Sequence, residues 1–165
     1  MADMKYILEL LVTEAGAVYY PPLGTVEQLT PDNAGYDLKV VVNQAATTLA
    51  TLVPLGVKAR LYTDVHKEGN VVRRVDCHFS LEPRSSIYKS GFMMANSRGI
   101  IDKSYRGELM APVISVGSSL KSIEAGTRLF QILAPGMGYI SEVHYVDSLP
   151  DTARGAGGFG STGLK

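Results

Sequence analysis

Turn-forming residues interrupt this chain so often that long helices have no room to form. Glycine occurs 17 times and proline 8 times, and the stretches between them are short, apolar and rich in β-branched residues, with weak helical periodicity throughout. Met4 to Val12 reads as a strand, followed by a loop from Gly16 to Gly24 that the Pro21-Pro22 pair holds extended. Tyr36 to Asn43, Thr47 to Val53 and Gly56 to Tyr62 read as successive strands, the last alternating Val57, Ala59 and Leu61 against Lys58 and Arg60. Glu68-Gly69-Asn70 signals a turn before a run from Val71 to Leu81. Further β runs cover Phe92 to Ala95, Glu108 to Val116, Thr127 to Leu133 and Ile140 to Val146. Short strands at such even spacing predict an all-β sandwich or jelly roll, with one short helical candidate at Ser85 to Lys89.

At 165 residues and 45% hydrophobic, the chain suits one domain with a real core, expected to span residues 1–150 with no repeat or linker. Residues 151–165 are glycine-rich and poor in apolar side chains, and read as a mobile tail. The 16 basic and 16 acidic residues cancel, so no overall field draws the chain to nucleic acid or an anionic membrane. The uncharged run from Val40 to Val57 carries Asn43, Gln44, Pro54 and Gly56, and reads as soluble rather than membrane-spanning. One cysteine, Cys77, cannot close an internal disulfide, and no cleavable signal is visible; an intracellular, by default cytoplasmic, protein is expected.

Several segments suit phosphate or proton chemistry. Glu82-Pro-Arg-Ser-Ser86 sets a guanidinium, on Arg84, and two hydroxyls, on Ser85 and Ser86, after a strand end, where donors can converge on phosphate oxygens; a polar strand-to-turn junction has the same composition. The run Gly99-Ile-Ile-Asp-Lys-Ser-Tyr-Arg-Gly-Glu108 holds Asp102, a candidate general base if partly buried beside a bound water; an exposed turn aspartate reads the same locally. Ala34-Gly-Tyr-Asp-Leu38 offers a second carboxylate, Asp37, and Mg²⁺ needs only one or two carboxylates beside phosphate oxygens and waters. The tail places Arg154 beside backbone N–H groups able to wrap an oligophosphate, or is simply disordered glycine. His66, His78 and His144 lack metal-ligand spacing and read as structural.

In identity and order these segments resemble the five blocks of the trimeric dUTPases. Ala34 to Leu38 resembles the first block, Pro83 to Ser86 the second and Gly99 to Glu108 the third. Gly126-Thr-Arg-Leu-Phe-Gln131 resembles the fourth and Arg154-Gly-Ala-Gly-Gly-Phe-Gly-Ser-Thr-Gly163 the fifth. The resemblance runs from about residue 30 to the C-terminus. It implies a β jelly roll of the β-clip kind forming a homotrimer, with each active site built from more than one chain. The implied reaction is Mg²⁺-dependent hydrolysis of dUTP to dUMP and pyrophosphate, lowering dUTP and supplying dUMP for dTMP synthesis. Asp102 would activate the attacking water, and Tyr105 would lie under the deoxyribose.

By the same resemblance a hairpin over Phe92 to Gly99 reads uracil through Asn96 and main-chain groups, near Gly99, Ile100, Ile101 and Met110. Arg84, Ser85 and Ser86 would hold phosphates, while Asp37 and Gln131 would order waters around Mg²⁺, itself held mainly by the triphosphate. Arg154 would meet the γ-phosphate, and Phe159, followed by Gly160 and Ser161, would stack on uracil as the tail closes from another subunit. Ser86, Arg98 and Thr127 depart from common family residues without removing a chemical role. The nearest rival, a dCTP deaminase of the same fold, needs a glutamate where this chain has Pro112 and commonly has Trp where Tyr105 stands. A dUTPase-like regulator that only senses nucleotide is the alternative from another class.

Overall fold

A computed structural model describes residues 4–158. Among them are eleven strands: β1 (Lys5–Val12), β2 (Val26–Gln28), β3 (Gly35–Lys39), β4 (Thr51–Lys67), β5 (Asn70–Cys77), β6 (Phe79–Pro83), β7 (Phe92–Met94), β8 (Gly99–Ile101), β9 (Glu108–Ser115), β10 (Arg128–Leu133) and β11 (Tyr139–Tyr145). One sheet runs β2-β11-β1-β4-β9-β7, with β5 added beside β4; the other runs β3-β10-β6-β8. The pairing is antiparallel except between β1 and β11. The all-β expectation holds, and the Ser85–Lys89 candidate is a 3-10 turn. No helix among the described residues is long and apolar enough to cross a membrane.

Alternating residues of the two sheets build the core. Leu8, Leu10, Val53, Leu55 and Leu109 from the first sheet and Leu38, Leu81, Phe130 and Ile132 from the second are fully buried. Every buried side-chain nitrogen and oxygen among the described residues has a hydrogen-bond partner.

Two boundaries differ from the sequence expectation. Pro54 and Gly56, which suggest a break, lie inside the 17-residue β4. Gly56 takes φ 72°, and the pairing with β9 shifts register between Pro54 and Lys58, so the strand bends through a bulge instead of ending. A Cβ there would stand 2.6 Å from Val41 Cγ1, so the bend also needs glycine for space. Conversely, Val71 to Leu81 divides at His78: Cys77 pairs with Leu61 in the first sheet and Phe79 with Ile101 in the second. The chain changes sheets across that one residue. The β4–β5 turn forms where expected, with positive φ at Glu68 and Gly69.

Candidate active site

One edge of the second sheet gathers the first, second and fourth blocks. On β10, Gln131 lies opposite Asp37 of β3 on one side and Glu82 of β6 on the other. Gly35 lets this happen, because a Cβ there would fall 2.4 Å from Gln131 Oε1. Arg84, just beyond β6, sets Nε 3.0 Å from Asp37 Oδ1 and donates from Nη1 to the Arg128 carbonyl at 2.9 Å. Arg128, which local sequence does not mark, brings a second guanidinium to 3.7 Å from Asp37 Oδ2. Asp37, Arg84, Arg128, Gln131 and Ser85 line a cavity of about 510 Å³. Its far wall is a hydroxyl cluster in which Tyr36 donates to Glu27 at 2.9 Å and meets the Tyr145 hydroxyl. Burial pushes both phenols up, Tyr145 to about 12, so they stay protonated at neutral pH. Two guanidiniums around one carboxylate leave a net positive charge, and Ser85 and Ser86 open a 3-10 turn whose first N–H groups have no partner within the turn. The arrangement suits an anion. Ser86 belongs to the turn but does not line the cavity.

A second cluster forms around the third block. Asn96, Gly99, Ile100, Ile101, Asp102, Tyr105, Arg154 and Gly158 line a smaller cavity of about 160 Å³. The turn after β8 is closed by Tyr105 N–H donating to the Asp102 carbonyl at 3.0 Å. Tyr105 is buried, its hydroxyl donates to the Glu108 carbonyl at 2.7 Å, and burial pushes its phenol up while Arg154 opposes that rise. The Arg154 guanidinium lies 5.5 Å from the Tyr105 ring centre and pairs with Asp102 Oδ2. Half of the Asp102 side chain remains open, enough for a water to approach.

The stretch before Arg154 is fastened to the same turn. Arg106, itself buried, donates from its side chain to the carbonyls of Pro150 and Lys103 and from its backbone to Gly155; Thr152 donates to the Ser104 carbonyl. Within the single chain the described tail therefore rests on its own Asp102 turn. Phe159, Gly160 and Ser161 lie outside the described residues.

Other expected site residues are distributed less simply. The arms of the Phe92-to-Gly99 segment pair elsewhere, β7 with β9 and β8 with β6, so the segment bridges the two sheets instead of forming a two-stranded ladder. Met110 lies on β9 opposite Pro54 and lines neither cavity. Arg98 is explained by a 3.3 Å contact with Glu82, and Thr127 by its hydrogen bond to the Glu124 carbonyl at 2.6 Å.

The two clusters are well separated on one chain. Asp37 sits on one edge strand of the second sheet and Asp102 follows the opposite edge strand. Three strand spacings put them about 14 Å apart across the sheet, and the register adds about 13 Å along it.

A family model described as dUTPase matches residues 24–163. A deoxyuridine 5'-triphosphate nucleotidohydrolase of Chlamydia pneumoniae is 35% identical over 141 residues, covering 83% of this chain and 89% of that protein. A protein of the same description from Rickettsia bellii is 34% identical over 142 residues, covering 84% and 86%. The crystal structure of a dUTPase from Streptococcus mutans superposes with a TM-score of 0.52 at 24% identity, covering 87% of this chain and 98% of that one, a likeness of fold.

Proposed function

The chain belongs to the dUTPase family, and from that membership we infer that it hydrolyses dUTP to dUMP and pyrophosphate, lowering dUTP and supplying dUMP. The observation that supports the mechanism is the separation of the side chains around Asp37, read as the phosphate-binding set, from those around Asp102, read as the nucleoside set. Together they are too far apart to grip one α-phosphate on a single chain. A homotrimer in which the Asp37 set of one subunit faces the Asp102 set of another supplies the complete site.

At such a site Asp102 accepts a proton from a water as its oxygen bonds to the α-phosphorus and the bond to the pyrophosphate oxygen breaks. Arg84, Ser85 and Ser86 hold the phosphates. Asp37 and Gln131, one carboxylate beside one carboxamide, fit the water shell of a Mg²⁺ carried by the triphosphate. When bound, that ion neutralises phosphate charge. Arg154 exchanges Asp102 for the γ-phosphate, which frees the carboxylate for its proton, and the tail shuts out bulk water. Tyr105 lies under the deoxyribose. Asn96 and the Ala95–Gly99 backbone read the uracil edge, where an unmatched base costs about 10⁴-fold because buried partners stay unpaired. Crowding at C5 rejects thymine.

Pyrophosphate release from dUTP with Mg²⁺, against dTTP and UTP as controls, tests this reading. Asp102→Asn is expected to lower turnover about 10²- to 10⁴-fold while dUTP binding by calorimetry changes little, since the amide keeps shape but takes no proton. No pyrophosphate from dUTP with the unaltered protein would refute the assignment.

A further inference from the structure

We propose that His78 is a positioning residue for Asp102. It rests on the reading of Asp102 as the base, and it starts from one peptide group. The Asp102 carbonyl accepts the Tyr105 N–H at 3.0 Å, and the N–H of the same peptide, on Lys103, donates to His78 Nδ1 at 2.9 Å. Both ends of the peptide plane are thereby fixed, and with them the Cα–Cβ direction of Asp102. Without the imidazole the Lys103 end of the plane loses its anchor, and the backbone torsions on either side of it, ψ of Asp102 and φ of Lys103, gain freedom that shifts the carboxylate.

The ring is suited to this task. Accepting a backbone N–H takes an Nδ1 that carries no hydrogen, so this bond selects the tautomer with its hydrogen on Nε2. Nδ1 lies 3.9 Å from Asp102 Oδ1, and two acceptors at that distance exchange no hydrogen bond. The base therefore keeps Oδ1 uncommitted on this side, while its neighbour holds the backbone. His78 is itself located by both sheets, because Cys77 is paired in the first and Phe79 in the second. It is the residue at which the chain changes sheets. Its side chain is 61% exposed, so packing does not account for it, and its hydrogen bond to the turn is its evident contribution.

Steady-state kinetics of His78→Ala, His78→Asn and His78→Gln, with Asp102→Asn in the same series and melting temperatures alongside, test the proposal. His78→Ala should lose about 10- to 100-fold in kcat, the scale of a misplaced base, with KM for dUTP nearly unchanged. Asparagine places Oδ1 where Nδ1 was and should recover most of the turnover; glutamine, whose oxygen lies farther out, should not. A general structural role would not separate those two polar variants, so the comparison stands even if alanine destabilises the chain. Wild-type kcat in His78→Ala, or an asparagine variant as slow as glutamine, overturns the proposal while a slow Asp102→Asn leaves the base reading intact. A fully active Asp102→Asn overturns both.

Discussion

Gly158 is where the tail meets the nucleoside cluster most tightly, and replacing it with alanine should uncouple the two. A Cβ at that position would lie 2.5 Å from Tyr105 Cε1 and 2.9 Å from Cδ1. Carbon contacts are comfortable at about 3.5–4.0 Å, so about 1 Å must open. Tyr105 cannot supply it. Its hydroxyl is tied to the Glu108 carbonyl, and the Gly107 backbone packs against that hydroxyl so closely that even a Cβ there would fall 2.4 Å from it. The tail must move instead, carrying Arg154 with it. Displacement of about 1 Å in positioning groups costs on the order of 10²-fold in rate, so Gly158→Ala is expected to lower kcat about 10- to 100-fold with little change in melting temperature. Stopped-flow proton or pyrophosphate release measures the first and scanning calorimetry the second. Gly155→Ala is the control: its nearest neighbour would be 4.0 Å away, and its cost is the positive φ of 56°, roughly 1–2 kcal/mol. Wild-type turnover in Gly158→Ala would show that this ring-to-tail contact plays no part in the working enzyme.

Two further outcomes concern stability. Tyr20 donates to the Leu55 carbonyl at 2.6 Å and accepts the Lys39 N–H at 2.8 Å, so Tyr20→Phe should cost about 1–3 kcal/mol in urea unfolding, and an unchanged midpoint would contradict it. Burial pushes the Glu108 carboxyl above its ordinary value near 4.5, with Lys58 opposing. Because the folded value is the higher one, the stabilising contribution is complete below about 4.5 and is lost as pH rises through the folded value. Glu108→Gln should therefore melt higher than the parent at pH 8 and level with it at pH 4; the same gap at both would refute the cause.

Alternation and turn residues made most strands legible, because each strand buries one face and each turn needs glycine or a polar residue. The three-residue β2 and β8 escaped, being too short to show a period. The Val71-to-Leu81 run looked continuous because the residues on either side of His78 are equally good strand formers; only the second sheet's claim on Phe79 divides them. Site chemistry was partly legible for a different reason. Asp102, Tyr105 and Arg84 lie in segments whose local order is informative, and Asp102, Tyr105 and Arg154 do converge. Order along a chain does not encode which sheet edge a segment reaches, so the separation of Asp37 from Asp102 follows from the resemblance and the fold and not from the residues themselves. Arg128, though inside the fourth block, and His78 carry no local sign of their contacts because their partners lie 91 and 25 positions away in sequence, at Asp37 and Lys103.

The opposite placement of Asp37 and Asp102 has a genetic consequence. In the proposed homotrimer each carboxylate is a separately inherited half of a shared site, so two alleles, each inactive alone, are expected to complement one another. In an equal mixture of Asp37→Ala and Asp102→Asn chains refolded together, random assembly pairs an intact Asp37 set with an intact Asp102 set in about one site in four. A site confined to one chain would recover none.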